Sequence, residues 1–292
     1  MNILTFDIEE WYVEKTHADR KDKYPEYDFY LDKILEMLER RRVKATFFCV
    51  GGMGELYPEV VRKIHAQGHE IGCHSNTHTW LNKMTKEEFR NDTRQAMDCL
   101  QQCIGEKVVS YRAPAFSIGE SNKWAFEVLA ENGIEIDSSV FPAARDIGGF
   151  PNFGYDSPVI VDCGGIKIKE FPISITKLLG KEVGYSGGGY FRFFPLSLVE
   201  KWMKQSKYNI CYFHIRDLTP ETGTVLRRKT YETYFKEPGT IKARYVRYFK
   251  SNIGKKGAFD KMVRLVDDME FIGIGQADSQ IDWGNKPEVR KL

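Results

Sequence analysis

Two histidines four residues apart, His74 and His78 in EIGCHSNTHTW (70–80), are two of only six in a chain of 292 residues. Two imidazoles and one acid make a three-ligand metal site that leaves a position for water. The acids on offer are Asp7, Glu9 and Glu10 in TFDIEEW (5–11). Along an extended strand Asp7 and Glu9 point to one face and Ile8 to the other. One carboxylate can then bind metal while the other takes a proton from metal-bound water. Ser75 stands where an H-E-x-x-H zinc signature needs Glu, which excludes that signature. Taken alone, the histidine pair reads more readily as two loop side chains, and the acids as a solvated loop start. Arg112 in YRAPAF suits a planar fork that holds a carboxylate, or a surface ion pair. His214 in CYFHI suits a proton donor to a leaving amine or alkoxide, or a satisfied core histidine.

These residues need elements that bring them together, and apolar periodicity supplies them. Short apolar runs predict strands at 2–8, 44–50, 69–74, 107–114, 134–139, 209–215 and 271–277, with a strand-like stretch at 166–174. Helices are expected around 27–42, 58–67, 86–104, 122–132, 195–205 and 258–270. The third of these opens on Thr85-Lys86-Glu87-Glu88, a capping box. Strand and helix alternate from end to end, which predicts a parallel sheet, open or closed into a barrel. In such folds chemistry gathers at the C-terminal strand ends. Asp7 and Glu9, His74 and His78, Arg112 and His214 all stand at such ends, and that shared placement favours a metal-dependent hydrolase over the bland readings.

Composition narrows the class. A hydrophobic fraction of 42% and an aromatic fraction of 13% suit a packed core and exclude disorder. A net charge of +2 gives no reason, for the chain as a whole, to expect nucleic acid or a membrane surface as partner. No run is long and apolar enough to span a bilayer. The N-terminus MNILTFDIEEW lacks the pattern of a secretory signal, so a cytoplasmic location is expected. Six cysteines scattered through apolar segments read as buried thiols, and Cys99 with Cys103 as a helix face. GYSGGGYF (184–191) lacks phosphate-loop spacing and reads as a tight turn near the site. KARYVRYFK (242–250) reads as an amphipathic segment with a solvated basic face rather than a nucleic-acid surface. Trp80, Tyr185, Tyr190 and Phe191 are candidate sugar-facing aromatics, although residues of this type are more often core.

Four segments carry a resemblance: TFDIEE to a T-F-D-D motif, HSNTH with its continuation WLNKMTKEEF to H-[ST]-x-x-H, YRAPAF to R-x-P, and CYFHI to a late histidine motif. In this order and after these strands, they resemble the polysaccharide deacetylases of carbohydrate esterase family 4, the NodB-homology family. The motifs lie within 3–216, and a helix and strand around 255–280 would complete a single domain, 1–292. The resemblance implies a distorted, incomplete (β/α) barrel of about seven units and a divalent metal, usually zinc, held by His74, His78 and an acid. It implies Asp7 as base, steered by Arg112, His214 as general acid, and the Ala115 N–H as an oxyanion donor. The family's usual second Asp falls on Ile8. Branches with D-x-[DE] point instead to Glu9 as the metal acid, with Glu10 as the alternative. The branch with this first motif and a GGGYFR segment often carries His-Pro-Trp-Glu at the late motif, where this chain has His214-Ile215-Arg216-Asp217. The implied activity is removal of an acetyl group from an N-acetylated glycan or its precursor. O-acetyl ester hydrolysis, cyclic-amide hydrolysis or metal and sugar binding without turnover stay open, and the sequence sets no oligomeric state.

Overall fold

The computed structural model of the chain describes residues 1–13, 21–145, 148–235, 237–285 and 287–292. The apolar run Asn2–Ile8 forms β1, with Leu4, Phe6 and Ile8 directed at the surrounding helices and Thr5 and Asp7 directed inward. Thr46–Cys49 (β2), Glu70–Cys73 (β3), Ser110–Tyr111 (β4) and Ile136–Asp137 (β5) follow in parallel, each beside the last. Val159–Cys163 (β6) and Ile166–Glu170 (β7) form an antiparallel hairpin, and β7 pairs in parallel with β5. Ile175–Leu178 (β8) and Lys181–Gly184 (β9) are a separate two-stranded hairpin. Asn209–His214 (β10) returns to the free edge of β1, and Val289–Lys291 (β11) extends the sheet beyond β6. Seven parallel strands, in the order β10-β1-β2-β3-β4-β5-β7, curve into an incomplete barrel.

The ring closes mainly through side chains. Across the gap between the β7 tail and β10, Ser186 Oγ donates to the Ile210 carbonyl at 2.7 Å and Ser174 Oγ accepts from the Ile210 N–H at 2.8 Å. Tyr208 Oη donates to the Pro172 carbonyl, and Gly187 makes one parallel bridge with Tyr212. A Cβ at Gly187 would lie 2.4 Å from the Tyr212 carbonyl oxygen, so the close approach needs glycine. The triple glycine is therefore a closing seam that leads into the helix Gly188–Phe193, not a tight turn. Tyr185 and Phe191 from this stretch are buried in the core.

The floor of the barrel is sealed by a second departure from expectation. Within 271–277 only Ile272 bridges to β1, and Ile274–Gln280 is helical. Thr46 Oγ1 accepts the Ile274 N–H, and the inward carboxylate of Glu70 accepts the Gly275 N–H, so polar groups at the strand starts cap this helix. The expected strands at 107–114 and 134–139 shrink to two residues each. The capping box at Thr85 and Glu88 is present, and all six cysteines are free. With the floor closed, the open end is the rim where the strands finish.

Candidate active site

The H-x-x-x-H loop is a strained turn fixed from outside. Ser75 (φ 59°) and His78 (φ 57°) are both left-handed, a conformation that costs about 1–2 kcal/mol for each non-glycine residue. The His78 N–H donates to Ser75 Oγ at 2.9 Å, so Ser75 shapes the loop itself. Asp92 accepts from the Asn76 N–H and from Thr77 Oγ1, and the N–H groups of Gly51 and Gly52 donate to the Ser75 and Asn76 carbonyls. Sequence reasoning missed Asp92 and the Gly51-Gly52 step as supports for this loop.

Glu9, His74 and His78 form a buried cluster whose ligand atoms all lie within 4.8 Å of one another. Glu9 Oε2 contacts His78 Nε2 and lies 3.7 Å from His74 Nε2. His74 Nδ1 is 2.7 Å from the Arg112 carbonyl oxygen, which can only accept, so the proton sits on Nδ1 and the Nε2 lone pair faces the cluster. Burial pushes the His78 imidazole toward its neutral form, against the pull of Glu9. Burial also opposes ionisation of Glu9, but the charges of His78, Arg216 and His214 outweigh it and hold the carboxyl well below its usual range. One anionic oxygen and two imidazole nitrogens in a dry setting fit a divalent metal. Glu10 is used differently: its oxygens accept the N–H groups of Arg216 and Glu9. Ile8 lies in the outer core.

Asp7 and Arg112 form an inward ion pair beside this cluster. Arg112 is fully buried, so it is no surface ion pair. Its Nη1 donates to Asp7 Oδ1 at 2.8 Å and to Thr5 Oγ1 at 2.7 Å, while Nε and Nη2 donate to the carbonyl and Oγ of Ser138. The guanidinium lies 4.3 Å from the centre of the Phe48 ring. Breaking such a buried pair by removing one partner costs about 3–5 kcal/mol. Asp7 Oδ2 is left facing His214 Nε2 at 3.9 Å.

His214 stands beside Asp7 on the neighbouring strand. In register with Asp7 across the β1–β10 ladder, it precedes a four-residue helix, Ile215–Leu218. Asp217 Oδ2 accepts from the His214 N–H at 3.2 Å and lies 2.9 Å from Nδ1. Burial alone would depress the imidazolium, yet Glu9, Asp217 and Asp7 raise its pKa to about 9. Asp217 in turn is ion-paired to Arg192 Nε at 3.2 Å, and Arg192 donates to the Ser251 and Ile253 carbonyls. Ile215 is buried core, and the Arg216 guanidinium pairs with Glu9 Oε1. Asp217, Arg216 and Arg192 were not assigned roles by sequence reasoning. An acid three residues after the last strand residue is the one available signal, as a capping pattern.

Ala115 (φ 56°) and Phe116 (φ 53°) turn the chain just past Arg112. The turn is held by Ser139 Oγ, which accepts the Ala113 N–H at 2.8 Å and donates to Asp137 Oδ1 at 2.5 Å. Asp7, Glu9, His74, His78, Arg112 and His214 are thus joined by direct contacts. Ala115 enters through its neighbours, and its own carbonyl accepts from Arg145 Nη1 at 3.3 Å.

Residues 3–136 match a family model described as polysaccharide deacetylase. This stretch, a little under half of the chain, is thus similar to the polysaccharide deacetylase family. Residues 138–278 match a second model, a domain of unknown function. The deacetylase match therefore contains the Glu-His-His cluster, Asp7 and Arg112, while His214 and Asp217 come from the second segment. A peptidoglycan-N-acetylglucosamine deacetylase of Bacillus cereus is 36% identical over 107 residues, 36% of this chain and 38% of the relative. A chitooligosaccharide deacetylase of Sinorhizobium fredii is 30% identical over 97 residues, 33% of this chain and 43% of the relative. The aligned stretches thus span less than half the length of these curated relatives. A crystal structure of a Mycobacterium smegmatis protein assigned to the polysaccharide deacetylases superposes with a TM-score of 0.62 at 19% identity, covering 100% of this chain and 92% of that one. A 4-alpha-glucanotransferase of Thermococcus litoralis gives 0.59 at 15% identity, covering 100% and 42%. A barrel shared with a glucanotransferase shows the fold alone, so chemistry must be argued from the residues.

Proposed function

We propose that the chain is a metal-dependent hydrolase that removes the acetyl group from an N-acetylated sugar in a glycan or glycan precursor. The observation that carries this reading is the convergence of Asp7 and His214, 3.9 Å apart, beside the buried Glu9-His74-His78 cluster. Those three residues would hold the metal, with zinc the best match to their donor set. A bound divalent cation there supplies Lewis-acid polarisation of the acetyl carbonyl and a lowered pKa for water. Arg112 occupies Asp7 Oδ1 and orients the carboxylate, so Oδ2 is the oxygen that accepts the proton of the attacking water. His214, with Nδ1 directed at Asp217, carries its transferable proton on Nε2 and delivers it to the leaving nitrogen. Asp217, hydrogen-bonded to Nδ1, and Asp7 both favour the protonated imidazole. The Ala115 N–H, following Pro114 in the turn, is the proposed additional donor to the oxyanion.

A second reading, sugar binding without turnover, draws on the Arg216 guanidinium that already pairs with Glu9. Acetate release separates the two. N-acetylglucosamine oligomers and an O-acetylated xylan are each incubated with metal-loaded protein, then with chelator. Acetate from the amide substrate that stops with chelator supports the hydrolase, and acetate from the xylan alone makes it an esterase. Metal binding with no acetate from either assigns the site to binding.

A further inference from the structure

The helix Ile241–Asn252, which contains the KARYVRYFK segment, is amphipathic but faces the wrong way for a soluble surface. Ile241, Tyr245 and Phe249 recur at every fourth position and so share one face. Ile241 is 69% exposed and Phe249 65%, and Tyr245, Val246 and Ile253 beside them are exposed as well. The arginines turn toward the protein instead. Arg244 Nη1 donates to the Leu226 carbonyl at 3.1 Å, and Arg247 lies 4.3 Å over the Phe235 ring and 3.6 Å from Glu237. The solvated face is thus apolar residues interleaved with the exposed Lys242 and Lys250, where the sequence predicts a basic face. The Arg192 guanidinium holds the carbonyls of Ser251 and Ile253 at the end of this helix.

Charge surrounds the patch. Residues 226–256 hold ten Lys or Arg against two Glu, a net of +8 in a chain whose total is +2, which leaves the remainder at −6. Lys242 and Lys250 are exposed on the helix itself, and Arg227, Lys229 and Lys256 are exposed in the segments on either side of it in the chain. Among the described residues no helix is long and apolar enough to cross a membrane. We propose that this face is a docking surface for an anionic lipid bilayer, on which the helix lies in the interfacial plane with its aromatic and aliphatic side chains inserted. Apolar side chains on one face and a basic surround are what such a surface recognises. A second copy of the chain would instead set one basic margin against another. The patch is tied to the site at both ends: Arg192 links it to Asp217, and the Phe235 ring lies 6.5 Å from that of Trp80, two residues after His78. The proposal does not depend on the hydrolase reading.

The full chain is sedimented with vesicles of phosphatidylcholine and with an equimolar mixture of phosphatidylcholine and phosphatidylglycerol. Binding to the anionic vesicles, weakened by salt, is expected. Tyr245→Ser with Phe249→Ser should lower partition by about tenfold or more, because two inserted rings are lost, with an unchanged melting temperature. Lys242→Glu with Lys256→Glu should erase the preference for anionic vesicles. No binding by the unaltered chain, or binding unchanged in the Tyr245/Phe249 variant, overturns the proposal. So does a dimer in sedimentation velocity that dissolves with the same two serines, which would assign the face to a second copy.

Discussion

On the wall built from β1, β3 and β4, each reactive side chain is fixed by main chain or by a buried ion pair close to its own strand. His74 is oriented by the Arg112 carbonyl, the His78 backbone is held by Ser75, and Asp7 is hydrogen-bonded directly to Arg112. The wall built from β10 is organised as a relay. His214 leans on Asp217, Asp217 on Arg192, and Arg192 on the carbonyls that end the helix Ile241–Asn252. A wall locked by backbone should fail as a unit when one member is lost. A wall hung on a relay should weaken in steps and carry a pH signature.

Loss of a cluster member gives the largest effect. His74→Ala should remove both bound metal, read by elemental analysis of the purified protein, and acetate release, while leaving the fold intact by circular dichroism. Full metal occupancy in that variant would move the site elsewhere. Asp7→Asn tests the same wall more finely. The Asn carbonyl can still accept from Arg112, so metal should stay while turnover drops by about 10²–10⁴-fold, the usual worth of a general base. Turnover near the original value would remove Asp7 from the base role.

The relay wall is probed by Asp217→Asn. Without the anion the imidazolium loses a partner, so the His214 pKa should fall from about 9. Since the protonated form is the active one, the alkaline limb of the pH–rate profile should move to lower pH, with turnover at pH 7 reduced by about 10–100-fold, the scale of a lost orienting partner. An unmoved limb would detach Asp217 from the acid.

The two walls also differ in how far the sequence disclosed them. The first is readable because strand alternation and parallel order are enough to put Asp7, Glu9, His74 and Arg112 on one rim. At the second, His214 is visible as a strand end, but His-Ile-Arg-Asp has no periodicity, and Arg192 reaches Asp217 from 25 residues away through a fold-closing seam. FIGIGQA reads as a strand by its apolar run. It becomes a helix because Thr46 and Glu70, distant in sequence, accept its first N–H groups. The apolar stripe of the helix Ile241–Asn252 is exposed for the same kind of reason, since Arg244 and Arg247 find partners on the protein side.

The smallest expected effect lies at the seam between the two segments, where Asp137 of β5 pairs in register with Glu170 of β7. Both carboxyls are buried, and burial pushes Asp137 up to about 6 and Glu170 well above its usual range, the latter also raised by its neighbour. Their folded pKa values exceed those of the unfolded chain, so the stability they contribute is complete below about pH 4. It is lost as pH rises through about 6 and beyond, when two adjacent buried anions would form. Glu170→Gln keeps an acceptor for the Val140 N–H and a donor for Asp137 but cannot ionise. Its melting temperature should match that of the unaltered chain near pH 4 and exceed it at pH 9. A gain of about 1 kcal/mol corresponds to roughly 2–4 °C in a chain of this size. Because Asp137 also holds Ser139, and Ser139 the Ala113 N–H, the same substitution should preserve acetate release at alkaline pH after heating. Parallel melting curves across pH would show that the pair does not titrate in this range and that the seam is held by packing alone.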